Sequence, residues 1–130
     1  RFENVNGDDI LLYPGVAVIP RVDGAFALID IRELQISAEH RRFQEEDGVP
    51  KDTRIDGHTW AKTNKNGSPD RRFKDNYQIP ICIYGNITFH SQTGLTEEYM
   101  VSNADAAQAF AETVQRYQTS LTESEALVQA

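Results

Sequence analysis

The chain has 130 residues, a net charge of −7, 39% hydrophobic and 25% charged residues, and a single cysteine, Cys82. This is the size and composition of one folded domain with one core. No apolar run approaches the roughly 20 residues a membrane helix needs, one cysteine allows neither an intrachain disulfide nor a cysteine metal cluster, and the acidic balance opposes general attraction to nucleic acid or anionic lipid.

The chain opens at Arg1 rather than at Met. That fits a trimmed start or a piece of a longer protein, and no basic-then-apolar leader is visible. Residues 10–20 are apolar and β-branched, with Pro14-Gly15 as a turn signal inside them. Two short strands or one bent strand are expected. Val22-Asp23-Gly24 signals a tight turn into Phe26-Ala27-Leu28-Ile29-Asp30-Ile31, so a hairpin follows. From Asp30 the chain continues as strand through Leu34 and Ile36, or takes a short helical turn capped by Asp30.

Residues 39–54 are polar and charged and read as a loop or short helix ending at Gly48. The stretch 56–62, with Trp60, suits a strand. Asn64 to Asp70 is dense in turn formers, Asn66-Gly67 above all. Ile79, Ile81, Ile83, Gly85, Ile87 and Phe89 share one face of the clearest strand, residues 79–90, and Cys82 inside it reads as a small buried residue. Asn86-Ile87-Thr88 matches a glycosylation acceptor by chance. Glu97 to Val101 is the last strand.

Ser102 and Asn103 are both cap candidates for a terminal helix. Ala106, Phe110, Val114, Tyr117 and Leu121 fall on one helical face, which should close the core. Residues 122–130 are acidic and weakly apolar, a tail or a short second helix. The chain is thus expected to be one β-rich α+β domain over residues 1–121, with a polar insert at about 39–76. Its strands should form a small bent sheet or partly open β-barrel, closed by one C-terminal amphipathic helix.

This order resembles the pleckstrin-homology-like superfold, including its bacterial and GRAM-type members. The carriers are Ile10 to Ile19, the hairpin into Phe26–Ile31, Ile79-Pro80-Ile81-Cys82-Ile83, Thr96 to Val101 and the helix from Asn103. The resemblance covers most of residues 8–120 and lies in element order, with no shared motif. The fold it implies hosts lipid, peptide and structural roles. Asp23-Gly24 stands where a lipid-binding member has a basic loop.

Charge is unevenly spread. Residues 51–76 hold seven basic and four acidic side chains, a local +3, while the remainder holds six basic and sixteen acidic ones, or −10. Within that stretch His58, Trp60, Lys62, Lys65, Asp70, Arg71 and Arg72 form the candidate contact site. Its cations suit phosphate or carboxylate, and Trp60 and Phe73 suit stacking on a base. The structural alternative is an Asp70–arginine pair, a core Trp60 and an ordinary turn. No phosphate-loop spacing is present, no elbow motif surrounds a serine, and His40, His58 and His90 are too scattered for a metal pair. No cofactor, metal or catalytic residue is therefore assigned. The functional expectation is a non-catalytic, cytoplasmic protein-interaction module of a larger or multi-component protein, with a protein partner. The alternatives are a nucleic-acid- or nucleotide-handling protein, such as a nuclease accessory, using residues 58–74, and a small hydrolase or phosphate-chemistry enzyme built on His58, Asp70 and Arg71.

Overall fold

The computed structural model describes residues 1–4 and 7–129. Its strands form two antiparallel sheets. The first is a meander of β1 (Leu11–Tyr13), β2 (Val16–Pro20) and β3 (Phe26–Asp30). Pro14-Gly15 is the two-residue turn that joins β1 to β2, so residues 10–20 are two strands rather than one bent strand. Pro14 presets its own φ, and Gly15 supplies the φ of 80° that the turn requires. The expected hairpin follows: the Gly24 N–H donates to the Arg21 carbonyl at 3.1 Å and the Arg21 N–H to the Ala25 carbonyl at 2.8 Å. Asp30 then caps a single 3-10 turn, Ile31–Glu33, by accepting from the Arg32 N–H. Both readings of this segment are realised in succession, turn first and strand after.

The second sheet is built on β6 (Gln78–His90), which is 13 residues long. One edge of β6 carries β4 (Gln35–Gln44) along ten residues. Its other edge is shared: β5 (Arg54–Trp60) pairs with residues 78–83 and β7 (Thr96–Val101) with residues 85–90. The loop or short helix expected over residues 39–54 is therefore corrected. Residues 39–44 are strand, and the connecting loop is 45–53. Glu39 to Gln44 are exposed on both faces of the sheet, so they show no apolar alternation. Pairing with β6 makes them strand, and that is a non-local cause.

Helix α1 (Ala104–Gln129) closes the fold as one continuous element of 26 residues. Residues 122–129 are neither a tail nor a second helix, and Ala130 lies outside the described residues. Asn103 is the cap, its Oδ1 accepting from the Ala106 N–H at 2.9 Å. The buried face is Ala104, Ala107, Ala111 and Val114, with Phe110 half-buried beside it and Ala106 exposed. The face is thus rotated towards small residues relative to the one expected. The cause lies in β6: a Cβ on Gly85 would stand 2.5 Å from the Ala107 Cβ and 3.1 Å from the Ala104 Cα. Only glycine facing alanine lets helix and sheet approach so closely. Further along, Gln115 Nε2 donates to the Ile36 carbonyl and Gln118 Nε2 to the Ile31 and Leu34 carbonyls, tying α1 to the start of β4.

One core joins the two sheets and the helix: Ile10, Ala17, Ile19 and Ile29 from the first sheet, Leu34, Ile36, Ile87, Phe89, Leu95 and Tyr99 from the second sheet and its connections, and Ala107, Ala111 and Val114 from α1. Phe2 completes it, its ring about 5 Å from those of Phe89, Tyr99 and Phe110. The architecture is β-rich α+β with a C-terminal helix, as expected, but the described strands do not close into a barrel. Among the described residues no helix is long and apolar enough to cross a membrane.

Candidate functional site

The polar stretch 58–74 lies at the far end of an arm. There β5, the first half of β6 and the last half of β4 run on beyond the core cluster. β5 places His58 opposite Pro80 and Trp60 opposite Gln78, after a bulge at Asp56-Gly57. His58 is exposed and Trp60 half-buried. The loop from Ala61 to Tyr77 is pinned at its base by the Ala61 N–H, which donates to the Tyr77 carbonyl at 2.9 Å. Asn76 clamps Lys62 through its backbone, accepting from its N–H at 2.9 Å and donating to its carbonyl at 2.8 Å. Asn64 to Ser68 forms the terminal turn and carries Lys65 at its exposed tip.

Asp70 organises the loop. Its carboxylate is almost wholly buried and accepts from the Arg72 N–H at 3.1 Å, Nε at 3.0 Å and Nη2 at 2.7 Å. These bonds hold the Asp70 carboxyl below the usual carboxylate range. The Lys62 ammonium sits 5.5 Å from the centre of the Phe73 ring, so a cation and an aromatic of the stretch engage each other. Asp70, Arg71 and Arg72 line a shallow concavity of about 400 Å³ with Asn64, Ser68 and Pro69. His58, Trp60, Lys62 and Lys65 do not line it. Among the described residues Lys65 and Arg71 make no ion pair, and no three His, Cys, Asp or Glu side chains stand close enough to hold a metal. Asn86 of the acceptor match is buried.

A different surface stands out on the first sheet. Its inner rows, Leu12–Ala17–Ile29 and Ile19–Ala27, face the core. The outer rows are Leu11–Val18–Leu28, Tyr13–Val16–Asp30 and Pro20–Phe26. Seven of these eight outer side chains are apolar. Tyr13 is 52% exposed, Phe26 65% and Leu28 69%, and Val22 at the hairpin tip is fully exposed. Leu11, Val16, Val18 and Pro20 are half-buried between them. Two rim arginines are already paired, Arg21 with Asp8 at 2.7 Å and Arg32 with Asp30 and Glu125. Beside Tyr13 the surface runs into an apolar groove of about 420 Å³ lined by Leu12, Pro14, Ile31, Val114 and Tyr117.

None of these outer-face residues was among the candidate site residues. The signal was present nevertheless. Residues 10–13 and 16–20 are unbroken apolar runs, the pattern of strands covered on both faces rather than on one. Comparison with protein-family models, curated proteins and solved structures gives no match.

Proposed function

We propose that the chain is a non-catalytic protein-interaction module, one part of a larger or multi-component protein, and that it works through the outer face of β1–β3. The observation that carries this reading is a sheet apolar on both faces and covered on one. Leaving such a face in water forgoes roughly 25 cal/mol for each Å² of apolar surface, and a contiguous exposed apolar patch marks an interaction site more often than a free surface. A PH-like assignment is in keeping with this, since that superfold is a platform for binding roles. It rests on the order of strands, two antiparallel sheets and a terminal helix laid over one of them.

The nucleic-acid reading keeps one favourable observation, the free Arg71 at the concavity beside Ser68 and Asn64. It is the weaker of the two. Arg72 is held by Asp70, Lys62 by Phe73, and Arg54 lies 3.9 Å from Asp105, so much of the local positive charge is already engaged. Oxidative footprinting separates the readings. Phe26, Leu28 and Tyr13 should be more protected in the extract of the producing cell than in the dilute purified chain, while Phe73 and Tyr77 change little. Protection confined to Phe73 and Tyr77 would overturn the module reading in favour of the loop.

A further inference from the structure

Resting on the interaction-module reading, we infer that the partner on the outer face of β1–β3 is a second copy of this chain, packed sheet against sheet across a two-fold axis. A two-fold contact requires a patch that can face itself. The outer face meets that demand, because its rows present Leu11, Val18, Leu28, Val16, Pro20 and Phe26 with one carboxylate, Asp30, at the margin. Asp30 already pairs with Arg32, so closing two faces together strands no unpaired charge in the contact. Strands of a twisted meander present a surface onto which a second sheet packs at about 10 Å.

The area is of the right order. Tyr13, Phe26 and Leu28 are each more than half exposed. With roughly 150–250 Å² for an aromatic side chain, these three and their half-buried neighbours offer on the order of 500 Å² per copy. Two copies together would bury on the order of 1,000 Å², the lower bound for a specific interface. A weak, reversible dimer in the micromolar range is the expectation. Another exposed apolar row, Phe43 and Ile55 flanking Cys82 on the arm, is smaller, and Arg41 is the next residue of β4 on its face.

Charge separates a second copy from an oppositely charged partner. Each copy carries −7, so the bodies repel while the apolar faces attract. Added salt screens the repulsion and leaves the apolar contact intact. Self-association should therefore tighten with salt, whereas binding to nucleic acid, or to any partner held by opposite charge, weakens.

Sedimentation equilibrium of the full chain over roughly 1–200 µM, at about 50 and about 500 mM NaCl, tests this directly. A monomer–dimer equilibrium that tightens several-fold at the higher salt is expected. Leu28→Lys should weaken it at least about tenfold, Phe26→Ser should weaken it less, and Met100→Lys, at an exposed position on the other sheet, should leave it unchanged. Leu28 lies outside the core cluster, so the variant's circular dichroism should match the wild type, as should its melting temperature at concentrations where both chains are monomeric. A monomer under all conditions, or a dimer indifferent to Leu28→Lys, overturns the inference. In the first case, footprint protection of Phe26 and Leu28 in extract would still leave the module reading standing, with another protein as partner. Absence of that protection would remove both.

Discussion

Substituting Gly85 by alanine tests the closest contact in the fold. The added Cβ would lie 2.5 Å from the Ala107 Cβ, 3.1 Å from the Ala104 Cα and 3.2 Å from the Val101 Cγ2. Carbon atoms rest at about 3.5–4.0 Å, so α1 must retreat by about 1 Å at its first turns. Neither alanine can rotate aside, because one contact is backbone and the other has no side-chain torsion. Overpacking of this kind costs about 1–3 kcal/mol, and the rigidity of both neighbours places Gly85→Ala near the top, at about 3 kcal/mol. At about 4 °C per kcal/mol for a domain of this size, the melting temperature should fall by about 12 °C. The effect belongs to one pair of groups and can be cycled. Ala107→Gly alone should cost about 1 kcal/mol in helix propensity plus its lost packing, yet in the Gly85→Ala background it should recover stability. Urea denaturation of the four proteins of the cycle should give a coupling of at least about 1 kcal/mol. A Gly85→Ala loss below about 0.5 kcal/mol, or strictly additive variants, would refute the close approach of α1 to β6.

Phe89 is fully buried and Phe110 only partly so. Phe89→Ala should cost about 3–5 kcal/mol and Phe110→Ala about 2 kcal/mol by chemical denaturation, and the reverse order would contradict the rotated helix face. For the loop, Asp70→Asn and Arg72→Ala should each lower the melting temperature and Arg71→Ala should leave it unchanged. Millimolar phosphate, sulfate or nucleotide should shift none of the four proteins; a nucleotide-dependent rise lost in Arg71→Ala would instead make the concavity a binding site. Tyr99 is buried and its hydroxyl donates to the Asp8 carbonyl at 2.6 Å, and burial pushes its pKa from 10 up to about 12. The folded-state value is the higher one, so its contribution is complete below pH 10 and is lost as pH rises through about 12. Alkaline melts should show Tyr99→Phe flattening that loss between pH 10 and 12, and an unchanged slope would count against it.

Local signals in the sequence located the elements whose causes are local. Pro14-Gly15, Asp23-Gly24, Asn66-Gly67 and the alternation from Ile79 to Phe89 each encode their own geometry, and the hairpin, the loop tip and β6 follow them. The structural alternative for Asp70 was also visible, since a carboxylate two residues before an arginine can close on it without any distant help. Three features were not legible for a shared reason. The strand at 39–44 depends on a partner some forty residues away. The helix face depends on Gly85, whose lack of a side chain draws Ala104 and Ala107 rather than Ala106 onto the sheet. The separation into two sheets follows from β4 pairing with β6 rather than with β3, a choice among pairings that periodicity does not make. The outer face of β1–β3 was half legible: its apolar runs identified strands, but only the register shows which side chains the core leaves uncovered.

The central claim is that this outer face, rather than the charged loop, is the working surface. A photo-reactive residue placed at position 28 in one variant and at position 65 in another, each irradiated inside the producing cell, tests it most directly. The account predicts a discrete protein adduct from position 28, at twice the chain mass if the partner is a second copy, and none from position 65. An adduct from position 65 alone, to protein or to nucleic acid, would contradict it.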